Sequence, residues 1–307
     1  MYDKDSKGIS YVAGFFMLIA FAVAGLMLAS VIAGLVSELM TGKSYLEITK
    51  AVNDPAYSDV MKIVQSVTAI FGFFIPTLVV AVLLHRRPMQ LLGLQTRGLQ
   101  VKQVLLVFLL VGVSLLVATS LSYLTNSTPI PDSWKIRFDR LEEEYNQQVS
   151  AIISLKGTKD YILALIVMAF LPALCEETLF RGGLQNFLSR GTGMPWFAII
   201  VVSILFSVAH FSFYGFLSRF FLGIVLGAIF HYSGKLWLSI LAHFLNNALA
   251  ITVLYLSIRQ GKPMEEAMKQ DATSFWGMLA IPVVIILFVA FKRISDDSRQ
   301  QIQSSEQ

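Results

Sequence analysis

Long apolar runs dominate the chain and alternate with short polar connections. An α-helix needs about 20 residues to cross a hydrocarbon core of about 30 Å, and several of these runs reach that length. The pattern predicts eight helices, over residues 9–36, 60–84, 101–124, 161–188, 195–213, 217–232, 236–256 and 274–292. The predicted fold class is therefore all-α, a polytopic bundle of about eight transmembrane helices in one membrane domain.

One polar connection carries a helical pattern of its own. Its apolar residues recur at steps of three and four and share one helix face: Trp134, Phe138, Leu141, Tyr145, Val149 and Ile152. We expect this amphipathic helix to lie on the bilayer surface or to cap the bundle. A solvated helix without a role and a gate for a substrate both fit the pattern.

The chain then divides into residues 1–130 with three transmembrane helices, 131–160 with the amphipathic helix, 161–256 as a core, and 257–307 with the last helix and a polar tail.

Composition and charge point to lipid as the solvent. Apolar residues make up 55% of the chain and charged residues 14%, whereas soluble domains average about 45–50% and about 25%. The net charge of +4 does not indicate nucleic-acid binding, because the basic residues stand in short clusters beside apolar runs. The single cysteine, Cys175, excludes an intrachain disulfide.

The positions of the basic residues predict the orientation. The strongest cluster connects the second and third predicted helices and contains no acidic residue: His85, Arg86, Arg87, Arg97 and Lys102. By the positive-inside rule this connection is cytoplasmic, and counting spans from it places both termini in the cytoplasm. Because the chain carries no targeting extension, we expect a multi-pass protein of the bacterial inner membrane.

The fourth predicted helix carries charged side chains within an apolar run. Ionisable groups at membrane depth cost about 2.5–3.5 kcal/mol each on the insertion scale, so they indicate function. Successive helix positions point about 100° apart, so Glu176 and Glu177 face different neighbours. Glu177 is one turn from Arg181 and can pair with it. Glu176 is then the free carboxylate, able to act as a general base on water. A network that only fixes helix packing is the alternative.

Two of the four histidines lie within predicted transmembrane helices. His210 follows Phe206 by four residues in the fifth helix, and His243 precedes Asn247 by four residues in the seventh, so each pair shares a helix face. An intramembrane histidine alone is commonly an interhelical hydrogen-bonding group. Because a helix with two glutamates and an arginine occurs in the same bundle as these histidines, we predict a shared polar site. The remaining two histidines stand at predicted helix ends and are expected to be structural: His85 and His231.

Three motifs therefore stand in order along the core: Glu176-Glu177-x-x-x-Arg181, Phe206-x-x-x-His210 and His243-x-x-x-Asn247. All three match, without departure, the signature of the CPBP family of intramembrane proteases. The chain resembles that family over roughly residues 161–256, and the helices outside this core carry no matching motif. The family includes the CAAX prenyl endopeptidases, which process prenylated proteins.

The resemblance implies an intramembrane endopeptidase that hydrolyses peptide bonds of membrane-associated proteins or peptides. In such an enzyme Glu176 would activate the attacking water, and His210 would assist the glutamate or orient the water. His243 and Asn247 would donate hydrogen bonds to the developing oxyanion, each typically worth about 2.7–4 kcal/mol in the transition state. The residues that would support this site are Glu177, Arg181 and Phe206.

The resemblance also raises the question of a metal. Family members are often labelled metalloproteases, and Glu176, His210 and His243 could hold zinc while leaving a position for water. No H-E-x-x-H helix is present, and imidazole and amide groups suit an oxyanion as well as a metal. We therefore expect no required cofactor, with a divalent metal such as zinc as the alternative.

Two other classes of function stay open. A non-catalytic membrane protein could use the same bundle to bind and regulate a partner protein, although it would not need the complete set of motifs. A transporter also carries intramembrane carboxylates and histidines as proton relays, but no paired halves or broken-helix symmetry supports it. The expected partners are the lipid bilayer and a membrane-associated peptide or protein substrate, prenylated or not, and no nucleic acid.

Overall fold

The computed structural model describes residues 4–51, 54–153, 155, 157–268 and 274–304. Within these ranges the chain forms helices joined by short connections and contains no β-strand. The helices are α1 Tyr11–Thr41, α2 Tyr45–Lys50, α3 Ser58–Leu84, α4 Pro88–Leu91, α5 Val101–Ser127, α6 Asp132–Ile152, α7 Thr158–Thr192, α8 Pro195–Val208, α9 Phe216–Ser233, α10 Leu236–Arg259, α11 Met264–Met268 and α12 Ile281–Ser304. The predicted all-α fold class is confirmed.

Seven helices in the described part of the chain are long and apolar enough to cross a membrane, so the protein is an integral, multi-pass membrane protein. The eighth apolar helix, α8, has 14 residues and a length of about 21 Å. The prediction of a helix over 195–213 was therefore too long. Phe211 adopts the left-handed conformation with a φ of 50°, which an α-helix does not accommodate. His210 consequently lies in the turn after α8 rather than within a helix.

The last helix is longer than predicted. The apolar pattern ends near residue 292, but α12 continues to Ser304. Its polar extension is held against the rest of the bundle, since Ser295 accepts a hydrogen bond from Gln103 Nε2 at 3.0 Å and Ser298 donates one to the Gly98 carbonyl at 2.6 Å. Part of the predicted polar tail is therefore helical and packed.

Two of the long helices contain wider, π-helical turns. In α3 such a turn covers Ile70–Phe74, in α7 one covers Leu165–Phe170, and each comes directly before a segment with a proline in its first turn. Proline lacks an N–H group and clashes with the carbonyl four residues earlier, which the wider turn accommodates. A third π turn in α7, Thr178–Gln185, directly follows the two glutamates. Such turns are frequent at functional sites.

Helix α7 lies at the centre of the bundle. Half of its most apolar window is buried, the largest share among the seven long helices of the described chain. On one side Leu184 and Phe187 pack in a cluster with residues of α1 and α3. On the other side Ala173 packs with Leu236 and Ile240 of α10. Side chains on α7 can therefore contact helices from both halves of the chain.

The amphipathic helix α6 crosses one end of the bundle. Its last residues, Ala151 and Ile152, are buried against α3. Its first half contacts the turn between α8 and α9, where the rings of Phe138 and Phe213 stack with centroids 4.1 Å apart. Two hydrogen bonds add to this contact, from Tyr214 to Asp139 at 2.5 Å and from Ser212 to Glu142 at 2.6 Å. Helix α6 therefore covers the end of the bundle that carries His210.

Candidate active site

The centre of the site is a buried ion pair on α7. Arg181 Nη1 donates to Oε1 of Glu177 at 2.6 Å, and both side chains are completely buried. The pair predicted from their four-residue spacing is present. A charged pair without solvent needs further partners, because desolvation of both ions costs several kcal/mol. Arg181 Nη2 also donates to the Gly223 carbonyl of α9 at 3.3 Å.

A second hydrogen bond joins α7 to α10. Nδ1 of His243 lies 2.8 Å from the same Oε1 of Glu177. An ionised carboxylate only accepts hydrogen bonds, so Nδ1 carries the proton. This fixes the orientation of the imidazole ring and leaves Nε2 directed away from Glu177. The sequence placed Glu177 and His243 in one site but did not predict this bond.

Glu176 lies on the other side of the same imidazole. Its Oε2 is 4.0 Å from Nε2 of His243, and the Glu176 side chain is 16% exposed. Oε2 itself is buried and has no hydrogen-bond partner among the described residues. A separation of this size between two polar groups is the kind that a bridging water spans. The predicted division holds: Glu177 is the paired carboxylate and Glu176 the free one.

The ring of Phe206 on α8 contacts the Arg181 guanidinium and both imidazoles of the site. The Arg181 guanidinium lies over its ring at 4.5 Å, within the range of a cation–π interaction. The same ring contacts the imidazoles of His210 and His243 edge to face, with centroids 4.9 and 5.7 Å away. One ring therefore packs against a cation and two imidazoles, while the supporting role of Phe206 stays a prediction.

His210 reaches the site from the turn after α8. Its Nδ1 lies 2.8 Å from the Phe206 carbonyl, which leaves Nε2 for other contacts. The ring interacts electrostatically with Glu176, Arg219 and His243. Because α8 ends at Val208, His210 lies in the turn that follows this helix rather than on the helix itself.

Asn247 lies one helical turn beyond His243 on α10 and is half-buried. Its hydrogen bond within the described chain is with its neighbour, since Oδ1 accepts from Nδ2 of Asn246 at 3.1 Å. Of the four residues predicted to be catalytic, the structure thus brings three into mutual interaction. Asn247 is on the same helix as His243, but within the described residues its side chain forms no hydrogen bond with the other three.

We tested whether the donors present fit a metal. Among the residues that the structure describes, no group of three or more His, Cys, Asp or Glu side chains could hold a metal ion. The hydrogen bonds at Nδ1 of His243 and of His210 leave Nε2 of each ring open, so these bonds do not themselves exclude a metal. As arranged here, the residues do not form the three-ligand set that a catalytic zinc requires.

Sequence reasoning missed the part of the network on α9. Gln185 follows Arg181 by four residues, is buried, and donates from Nε2 to the Gly227 carbonyl at 2.9 Å. The acceptors Gly223 and Gly227 are also four residues apart, so the two helices meet along small residues that allow close approach. The signal was available, because Glu177, Arg181 and Gln185 repeat at a spacing of four.

The fold and site define a multi-pass membrane protein with a carboxylate, imidazole and guanidinium network held between its helices. Residues 158–249, which contain that network, match the family described as type II CAAX prenyl endopeptidase, Rce1-like. The resemblance predicted from the three motifs is confirmed over this segment. The chain is also similar to an uncharacterized 24.3 kDa protein of Escherichia coli, with 36% identity over 92 residues, which cover 29% of this chain and 42% of that protein.

The chain therefore spans less than half the length of the curated relative it matches. No solved structure matches the chain. The family match covers the helices that carry the site, whereas the first three long helices and the last lie outside residues 158–249.

Proposed function

We propose that this protein is an intramembrane endopeptidase that uses Glu176 as its general base. The observation that carries the proposal is the position of Glu176 Oε2: buried, without a hydrogen-bond partner among the described residues, and 4.0 Å from Nε2 of an imidazole whose other nitrogen is held by Glu177. Such a site can hold a water between a base and a second polar group.

In the proposed reaction Glu176 takes a proton from this water while the oxygen of the water attacks the scissile carbonyl carbon. The C–O bond forms, and the carbonyl oxygen becomes an oxyanion. His243, through Nε2, and Asn247 donate hydrogen bonds to that oxyanion, and His210 orients the water. The C–N bond then breaks, and Glu176 returns the proton to the leaving amine, so the enzyme ends in its starting state.

The supporting residues have separate tasks in this scheme. Glu177 keeps Nδ1 of His243 protonated and the ring in position, as carboxylates do for catalytic and metal-binding histidines. The scheme assigns no step to a metal. We propose that the activity survives chelation, and metal analysis of the purified protein tests this independently.

We propose that the substrate is a membrane-associated peptide or protein, and that a CAAX-type prenylated C-terminus is the first substrate to test. The support is the family match over residues 158–249. We further propose that both termini face the cytoplasm of a bacterial inner membrane. The charged residues in the connection between α3 and α5 are all basic, and the positive-inside rule places such a connection in the cytoplasm. Topology reporters fused to either terminus test that orientation.

The decisive experiment is cleavage of a quenched-fluorescence prenylated CAAX peptide by detergent-purified protein, beside a panel of unprenylated membrane peptides. Glu176→Gln removes the base and keeps the shape of the side chain, so we expect cleavage to be lost while the protein stays folded. Glu144→Gln, on the exposed face of α6, is the matched control and should cleave like wild type. A folded wild-type protein that cuts none of these peptides would contradict the proposal and favour a regulatory binder.

A further inference from the structure

A polar cavity lies at the opposite part of α7 from the active site. It has a volume of about 150 Å³, well above the roughly 10–15 Å³ that a single water needs. Its walls come from α4, the last turns of α7 and the end of α9. Gln185 is the one lining residue that also belongs to the network of the site, and Arg190 is 13 positions beyond Glu177, about 20 Å along a helix.

The lining is built for an anion. The donors in the lining are the guanidinium of Arg190, the imidazole of His231, the amide of Gln90 and the hydroxyl of Ser189. The amide nitrogen of Asn186 already donates to the Leu91 and Gly182 carbonyls. Arg190 is oriented by a hydrogen bond from its Nε to Oδ1 of Asn186 at 2.9 Å. None of the ten lining residues is acidic. Phosphate oxygens accept hydrogen bonds from all of these donor groups, and guanidinium binds them with particular strength.

Further basic residues surround the cavity. Arg299 of α12 donates from Nη2 to the carbonyls of His231 and Tyr232 at 2.9 and 2.7 Å. Lys235 donates to the Arg97 carbonyl, and its pKa is lowered by burial and by the neighbouring charge of Arg299. The carboxylates near this end of the bundle include Asp296 and Asp297 of α12 and Asp5, which lies 3.9 Å from Arg87.

The depth of the cavity is marked by aromatic side chains. The Arg190 guanidinium lies 5.4 Å from the centre of the Tyr11 ring. Trp196 packs edge to face on Tyr232 with centroids 6.4 Å apart, and Trp237 Nε1 donates to the Leu94 carbonyl at 2.9 Å. Tyrosine and tryptophan concentrate at the level of lipid headgroups, where one end of the ring is apolar and the other is wet.

From these observations we propose that the cavity binds a phosphate group, and that its source is the headgroup of an anionic phospholipid. The interfacial aromatic residues place the cavity at headgroup depth, and the basic residues supply the charge that anionic lipids attract. Arg190 is the principal charged contact, with His231 and Gln90 as further donors. A free phosphate ion would use the same donors, and the test separates the two sources.

The test uses full-length protein in neutral detergent. Short-chain phosphatidylglycerol, short-chain phosphatidylcholine and inorganic phosphate are titrated separately, and binding is followed by the rise in Tm. We expect wild type to prefer phosphatidylglycerol over phosphatidylcholine. Arg190→Gln should weaken that binding about fivefold, the effect of one basic residue at an anionic surface. Ser189→Leu fills the cavity without removing a charge and should abolish the preference. Arg140→Gln, an exposed cation on α6, is the matched control.

Each outcome has a definite meaning. A preference for phosphatidylglycerol that is lost in Arg190→Gln and Ser189→Leu, but not in Arg140→Gln, supports the lipid site. Binding of inorganic phosphate with the same dependence on Arg190, without any preference between the lipids, supports the phosphate site and removes the lipid as its source. Equal binding of both lipids and no binding of phosphate overturns the proposal, as does equal weakening by Arg190→Gln and Arg140→Gln. Ser189→Leu keeps the test valid should Arg190→Gln not fold.

Discussion

Nδ1 of His243 lies 2.8 Å from Oε1 of Glu177, and this hydrogen bond joins two helices whose residues are 66 positions apart in the sequence. The same carboxylate oxygen accepts from Arg181. One oxygen therefore fixes both the orientation of the imidazole and its place relative to α7. Because Nδ1 is occupied, Nε2 is the nitrogen that faces Glu176.

Glu177→Gln tests the importance of this orientation. A glutamine amide keeps the shape but can donate to Nδ1, which favours the wrong tautomer of His243. We expect kcat to fall at least tenfold with little change in KM, as is typical when the partner of a functional histidine is altered.

Nitrogen NMR of labelled histidine supplies the second readout for Glu177→Gln. The signal of protonated Nδ1 that belongs to His243, identified by its absence from a His243→Gln protein, should be present in the wild type and lost in Glu177→Gln. Glu143→Gln, on α6 away from the site, is the control for activity. Unchanged kcat in a folded Glu177→Gln protein would contradict the orienting role.

Arg181→Met tests the stability of the ion pair. Methionine has a similar length but leaves Glu177 as a buried carboxylate without its cation, which costs about 3–5 kcal/mol in the free energy of unfolding. The double variant Glu177→Gln/Arg181→Met removes both charges and should recover part of that loss, because the two effects are not additive for groups in contact. Denaturant unfolding in mild detergent measures both. A loss below about 1 kcal/mol in the single variant would argue against a buried pair.

Gly227→Ala tests the close approach of α7 and α9. A Cβ atom at this position would come within 2.7 Å of Gln185 Oε1 and 3.1 Å of Ile199 Cγ2. We expect a loss of about 1–3 kcal/mol, the usual cost of overpacking. Gly112→Ala on α5 is the matched control, because nothing lies within 4 Å of its added Cβ. Thermal unfolding should separate the two variants, and equal Tm values would contradict the close contact.

The docking of α6 should depend on pH only at the extremes. Hydrogen bonds from Lys135 and Tyr214 lower the pKa of Asp139 below 3.8. Its contribution is thus complete above that value and is lost as the pH falls through the lowered pKa. Burial and the bond to Asp139 raise the pKa of Tyr214 to about 12 from 10.0. Its contribution is complete below 10 and is lost as the pH rises through about 12.

Emission of Trp134, on the first turn of α6, reports this docking in a variant whose other tryptophans are phenylalanine. The emission should stay constant between about pH 5 and 9 and change only outside that range. Tyr214→Phe breaks the bond between Tyr214 and Asp139 and should therefore remove the alkaline change and weaken the acid change as well. A transition near neutral pH would show that other groups control the contact.

The parts of the site that were predictable from the sequence are local. Glu177 and Arg181 are four residues apart, and a spacing of four places two side chains together on any regular helix. The bond between Glu177 and His243 was not predictable, because it depends on how α10 is rotated relative to α7. That rotation follows from packing along whole helices, which the spacing of motif residues does not specify.

The position of His210 shows a second limit. The apolar pattern continues past residue 208, so periodicity alone extends the fifth helix to residue 213. The chain leaves the helix because Phe211 adopts a positive φ, a conformation that phenylalanine rarely adopts and that only the surrounding turn can impose. The cavity beside Arg190 was likewise beyond prediction, since its walls come from three separate segments.

The π turn over Thr178–Gln185 affects how the two ends of α7 are rotated relative to each other. Each residue added to or removed from a helix rotates everything beyond it by about 100° and shifts it by 1.5 Å. The wide turn takes up one residue between the glutamates at its start and Arg190 beyond its end. Deletion of one residue within this turn would let an ordinary helix form and would leave the two ends of α7 close to their present angular phase. Deletion of one residue between the turn and Arg190 would have no wide turn to absorb it, so Arg190 would rotate by about 100° relative to Glu176 and Glu177. The two glutamates and the cavity beside Arg190 would then no longer face their partners at the same time, even with every one of their residues unchanged.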